Sequence, residues 1–445
     1  MKTTLIFIIS VFLFSKTFSQ SVKTYKSFKQ AINDSVNVKK LTLSGDSLKQ
    51  FSSAILKLTN LEEIAFESDQ SFDVSYAIPI LAKLKNLKKL WISDIKVVNL
   101  NGIRGLKNLE ELDLDNVSIS FLPLEISNLE KLREINLEEN PQLNMIQVFN
   151  VLSRIKTLKV LWLGKNNLST LPKEISKLKT LEQLWLDEND FLDIPLAIRR
   201  SKIKYVSMFD NKIEHLNLKR GELTNLNNIN LCYNNFKVFP AIELSLLPKL
   251  DTIIMWHANI RYIPKQISDI KKLKRLNLED NSISELPGQM AKLKHLHVLE
   301  LSGNKLTTDG IKCIYQFKNL TTLELYKNSI KSVSPEIGNL KTLNELSIGE
   351  NPLTEIPRSI SKLKKLKKIQ LGYYETFDWT GAISVLGRLP DLKYLGLFKM
   401  GLLRMPDGFE KLTSVKEFWM NGNIFENQEK DRLKKLLPNA KFVFN

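Results

Sequence analysis

Between Val38 and Asn423 one phrase, LxxLxLxxNxL in one-letter code, returns about every 23 residues, and this repetition restricts the fold more than any other feature of the chain. Clear copies begin at Leu132, Leu158, Leu181, Leu226, Leu273, Leu296, Leu320 and Leu343. Looser ones begin at Val38, Leu61, Leu87, Leu109, Ile203, Leu250, Leu366, Leu392 and Val415, giving 17 units. A unit this short cannot enclose its own leucines, so each buries them against its neighbours and the units stack into a solenoid. Within a unit the first, fourth and sixth positions are apolar, which is the two-residue period of a short strand with one buried face. The third, fifth, seventh and eighth positions then look outward.

Asn fills the ninth position in ten units, as at Asn166, Asn189 and Asn281. A carboxamide carries donors and an acceptor, so stacked copies are expected to satisfy turn backbone groups buried between units. Second halves read LPxxIxxL, as in Leu171-Pro172 with Ile175 and Leu178, a spacing for short helical or 3₁₀ segments on the convex side. The units starting at Leu61, Leu132 and Leu366 are longer, at 26 residues, and place the capping types Asp73, Asn144 and Asp378 at their thirteenth positions. Full helices are expected there. Tyr25, Phe28 and Ile32 at helical spacing predict an N-terminal capping helix over Thr24 to Asn33. Asp431 to Leu437 predicts a C-terminal helix, and Phe442 to Phe444 a closing strand.

A chain of 445 residues would ordinarily hold about three domains, but an uninterrupted array makes one elongated domain. Lys2, the apolar run Leu5 to Phe14 and Thr17-Phe18-Ser19 read as an export signal over residues 1–19, followed by a cap at 20–37, the array at 38–425 and a second cap at 426–445. The apolar run is too short to span a bilayer, which takes about 20 residues. A secreted, extracellular or periplasmic protein without a transmembrane segment in its mature form, and a monomer, is therefore expected. Cys232, placed by the pattern on the strand face, and Cys313 on the opposite flank are three repeats apart, roughly 14 Å at the strand spacing, which precludes a disulfide.

The extended phrase LxxLxLxxNxLxxLPxxIxxL, intact at Leu158 to Leu178 and Leu273 to Leu293, resembles the typical bacterial leucine-rich-repeat proteins and the plant Ras-group-related ones. The resemblance covers residues 38 to 445. It implies an α/β solenoid, a right-handed superhelical horseshoe with a parallel concave sheet and short helical or 3₁₀ convex segments. It also implies partner binding on the concave face, and no enzyme.

Net charge is +17, which alone would suggest nucleic acid or an anionic membrane. The register redistributes that charge: the outward strand positions hold seven basic residues against 19 acidic ones, so the concave face is acidic and the lysines gather on the convex side. Nucleic acid is accordingly not expected there. Aromatic side chains also occupy outward positions: Trp162 and Trp185 in adjacent units, Tyr205 and Phe209 in the next, then Tyr233, Trp256 and His257. Asp113, Asp115, Glu134, Glu138, Asp187, Glu188 and Asp210 surround or interrupt this stripe. Aromatic anchors rimmed by one sign of charge suit a protein or peptide partner with a basic surface. Two alternatives stay open, a carbohydrate or envelope polymer stacked on the same tryptophans, and plain lateral packing that stiffens the sheet. A second cluster, Tyr373, Tyr374, Tyr394, Phe398 and Trp419, fits cap packing as well as binding. No nucleophile elbow, phosphate loop or dinucleotide fingerprint occurs, and His215, His257, His295 and His297 have no metal-ligand spacing, so neither catalysis, cofactor nor metal is expected. Glu111, Asp113, Asp115, Glu134 and Glu138 offer calcium ligands by type, but read better as an acidic rim.

Overall fold

The computed structural model describes residues 23–444 apart from 70, 98 and 373–375, so the expected leader, Tyr373 and Tyr374 lie outside the described residues. The chain is a leucine-rich-repeat solenoid in which every repeat contributes one short parallel strand. It divides into two compact units, the first formed by residues up to Val117 with Pro123–Leu132, the second by Ser118–Leu122 and the chain from Arg133 onward.

In the first unit Thr24–Tyr25, Lys40–Ser44, Glu63–Glu67, Lys89–Ser93 and Glu111–Asp115 pair successively and in parallel. Thr24 and Tyr25, expected to begin a helix, instead extend the sheet; the helix is confined to Phe28–Asn33 behind the Ser27 cap. The extension covers an edge that Lys40 and Leu41 would otherwise present unpaired, and it buries the Tyr25 ring.

In the second unit parallel strands follow one another without a break from Glu134–Asn136 to Lys441–Val443. The leucines of the phrase form its core: Leu158, Leu161 and Leu163 are at most 1% exposed, and so are their counterparts Leu273, Leu276 and Leu278. The asparagines form the expected ladder. Asn189 donates through Nδ2 to the carbonyls of Leu163, Leu186 and Asp187, while its Oδ1 accepts from the amides of Asn166 and Leu168. This turn sets the preceding residue in the left-handed region, as at Glu139, Lys165, Glu188, Asp210, Tyr233 and Asp280. A non-glycine residue accepts that conformation only where its surroundings over-determine it, and the ladder does so.

The three longer repeats carry full helices, Val74–Leu81, Met145–Leu152 and Trp379–Leu386, and each is capped by the residue its sequence indicates. Asp73 accepts from the Ser75 amide, Asn144 from Gln147 and Asp378 from Gly381. In several other repeats a proline precedes a 3₁₀ turn, as Pro172 does before Lys173–Lys177. Asp378→Ala should cost about 1 kcal/mol through loss of the cap, seen as a lower urea midpoint with an unchanged slope. At the C-terminus Asn427–Leu436 is helical and Lys441–Val443 closes the sheet, with Phe442 stacked on Phe418 at 4.9 Å.

Candidate functional site

Strand register decides which side chains share the solvent side of the sheet. Trp162 lies directly opposite Trp185 in the ladder, and both are half-buried on that side. Their rings stack with centroids 4.0 Å apart and planes 10° from parallel. The Trp162 indole N–H donates to Glu134 Oε1 at 2.7 Å, which fixes the pair at one end. At the other, Tyr205 tilts against Trp185 with centroids 4.7 Å apart. The Trp185 indole N–H is buried and has no acceptor among the described residues.

A second aromatic group follows. Phe209 meets Tyr233 at 5.0 Å, Tyr233 meets Trp256 edge-on at 4.7 Å, and His257 lies against Tyr233 at 4.8 Å. Tyr233 and His257 are exposed, and His257 Nε2 is 3.4 Å from Asp280 Oδ2. Phe209 and Trp256 stand at the seventh positions of their repeats, and Tyr233 and His257 at the eighth, where the backbone is left-handed.

Several residues that the strand pattern had placed outside are buried. Tyr205 is 7% exposed, Ser207 and Cys232 are fully buried, and Ile254 is 7% exposed. Cys232 therefore belongs to the packed interior rather than to an open face; burial pushes its thiol well above the usual range, and it and Cys313 are both free thiols. Asp187 is likewise no open rim carboxylate. Its Oδ1 accepts from the Ser207 hydroxyl at 2.5 Å and from the Phe209 amide at 2.9 Å, and Asn230 donates in turn to the Ser207 oxygen at 3.0 Å. Burial pushes the Asp187 carboxyl up to about 6, against the opposing pull of those two donors.

The remaining acidic residues divide. Lys165 bridges Glu139 and lies 3.9 Å from Glu188, so those two are partly neutralised. The Glu138 side chain lies over Gly164, where any β-carbon would fall 2.3 Å from its Oε1. Asp210 is exposed beside the second aromatic group. Asp113 and Asp115 belong to the first unit, where Asp113 accepts from the Asp115 amide, and the candidate site is therefore built from the second unit's residues. The few outward cations are mostly spent within their own face: Lys89 pairs with Glu111 in the first unit, and Arg275 with Glu300 and Lys368 with Glu345 in the second. Trp91 escaped the sequence reading although it occupies the same fifth position as Trp162; its indole N–H donates to Glu111 at 2.7 Å. Near the C-terminus Tyr394 and Phe398 stack on Trp419. Among the described residues no group of His, Cys, Asp and Glu is arranged to hold a metal ion. No helix there is long and apolar enough to cross a membrane.

The family profile described as leucine rich repeat matches residues 318–373. A volume-regulated anion channel subunit, LRRC8A of Rattus norvegicus, is 31% identical over 221 residues, covering 47% of this chain and 27% of that protein. The chain thus spans about a quarter of the length of the curated relatives it matches. A solved leucine-rich-repeat protein of Leptospira interrogans is 27% identical with a TM-score of 0.64, covering 95% of this chain and all of the other. The TLR13–ssRNA13 complex aligns with a TM-score of 0.63 at 18% identity, over 95% of this chain and 77% of that one, a likeness of fold alone.

Proposed function

We propose that this chain is an exported, non-enzymatic recognition protein whose strand face, across the repeats that carry Trp162 to His257, binds a protein or peptide segment with a basic surface. The carrying observation is the pair of aromatic groups on the solvent side of the sheet. A leucine core does not need large rings there, and rings held rigid by stacking lose little entropy when a partner covers them. Glu134, Glu188, Asp210 and Asp280 lie among them and favour a cationic partner. The same charge opposes a phosphate backbone, whose binding rests on cations. A sugar would need an open indole face; the stack takes one face of each tryptophan and Tyr205 tilts against Trp185, so less of it is left. That geometry weighs for a protein segment over the carbohydrate alternative. The bacterial, secreted setting rests on the residue 1–19 leader and on the resemblance to the Leptospira protein.

The test is capture of partners by the tagged chain, compared with the Trp162→Ala, Trp185→Ala double variant. Loss of the pair should weaken binding of the captured partner by about 2 kcal/mol, near thirtyfold. Tyr233→Ala, a change at a 40% exposed side chain, should weaken it without lowering the melting temperature. Unchanged affinity in both variants refutes the site.

A further inference from the structure

Beyond the tryptophan stripe, the repeats that follow it form a separate basin. Through the ladder, Glu300 pairs with Glu324, Glu324 with Ser347, Ser347 with Gln370, and Gln370 with Gly396. This row begins as carboxylates and shrinks to small or neutral groups. The seventh positions alongside do the same, running from Glu279 and Tyr326 to Gly349 and Gly372 before bulk returns at Phe398. Neither glycine has room for a side chain. At Gly372 φ is +142° and an added β-carbon would lie 2.3 Å from the Phe398 carbonyl oxygen, while at Gly349 it would lie 3.2 Å from the Gly372 nitrogen. The outcome is a hollow of about 350 Å³. Glu279, Glu324 and Tyr326 line one side, Ser347 and Gln370 the floor, and Phe398 the other side, with Lys399 at its rim.

The charges around it are unequal. Arg275 is committed to Glu300 by two hydrogen bonds of 2.7 and 3.1 Å, whereas Glu324 enters no ion pair among the described residues. Burial pushes the carboxyls of Glu279 and Glu324 above the usual range, and neighbouring acids, Asp280 for the first and Glu279 for the second, add to it. For Glu279 the opposing pull comes first from the Asn277 amide, which donates to its Oε2 at 3.0 Å, and then from Arg275; for Glu324 it comes from Lys368 and Arg275, and in neither does it cancel the rise. We infer that this basin is a receptor for one arginine side chain of a partner segment, its guanidinium laid against the Tyr326 ring and paired with Glu324 and Glu279. A planar fork of donors fits a carboxylate pair and stacks on rings; a lysine ammonium does the first only in part and the second less well.

The basin is independent of the tryptophans, so its test needs no knowledge of the natural partner. Acetyl-Gly-Arg-Gly-amide is titrated into the full chain by saturation-transfer NMR, beside the lysine analogue and the neutral citrulline analogue. The arginine peptide should bind saturably, at least tenfold more tightly than the citrulline peptide and measurably more tightly than the lysine one. Glu324→Gln, close in shape to the native residue, should remove most of that preference. The Trp162→Ala, Trp185→Ala variant should retain it, which separates this inference from the partner site. Equal binding of the arginine and citrulline peptides to the native protein, equal binding of arginine and lysine, or an unaltered preference in Glu324→Gln would each overturn the assignment.

Discussion

Asn189→Ala should destabilise the second unit by roughly 3–5 kcal/mol. The native carboxamide is 6% exposed and makes five hydrogen bonds, three given to carbonyls and two taken from amides. Alanine leaves those backbone groups buried between two repeats, where each unsatisfied group costs about 1–3 kcal/mol and entering water recovers only part. Because repeats couple mainly to their neighbours, the loss should appear first as local opening. Hydrogen exchange at the Asn166 and Leu168 amides should accelerate more than at Leu299 or Leu323. Asn225→Ala, which removes only an exposed contact with Lys249, is the control and should change stability by less than about 0.5 kcal/mol. Similar losses for both variants would mean that the ladder is not what joins the repeats.

Asp187→Asn should have the opposite sign, raising stability at neutral pH by up to about 3 kcal/mol. The folded protein holds the Asp187 carboxyl up to about 6, against 3.8 for the ordinary side chain, so the folded state takes up a proton more readily than the unfolded chain. Its contribution is therefore unfavourable above pH 6 and disappears as the pH falls from about 6 to 3.8. Glu300, pushed up by burial to about 7 from 4.5, acts in the same direction over the adjoining range. Carboxyls held below their usual range by lysines, such as Glu62 beside Lys88 and Glu182 beside Lys159 and Lys204, lose their stabilising effect only below about 4.5. Native stability should accordingly rise on acidification from pH 8 and peak near pH 5. In Asp187→Asn the rise between pH 7 and 5 should shrink, and the amide oxygen can still accept from Ser207 and Phe209. Urea midpoints measured across that range check both statements; a native protein most stable at pH 8 would contradict them.

The fold was legible because the signals that specify it are local and repeated. Two-residue alternation sets each strand, the ninth-position asparagine closes the turn in the ten units that carry it, and Asp73, Asn144 and Asp378 announce their helices from the residue before them. The N-terminal edge was less legible, since Tyr25 satisfies a helical spacing and a strand equally and only pairing with Lys40 and Leu41 decides between them. At the candidate site the pattern gave direction but not cover. It turned Tyr205, Asp187 and Cys232 outward, yet could not foresee that Trp185 would pack against Tyr205, that Ser207 and the Phe209 amide would engage Asp187, or that Cys232 would be buried. Likewise, Lys165 with Glu139 and Arg275 with Glu300 meet across neighbouring strands although they stand more than 20 residues apart in the chain. Such pairs follow from stacking register, and composition counted both partners as free charges.

The central claim, that partners engage the strand face and not the lysine-rich convex side, is tested most directly by hydroxyl-radical footprinting of the chain with and without its captured partner. Protection should fall on Trp162, Trp185, Tyr233 and Trp256, while Tyr262, Leu192 and Leu196, exposed outside the strands, keep their solvent reactivity. Protection of Tyr262 and the two leucines, with the four strand-face aromatics oxidised as in the free protein, would contradict the account.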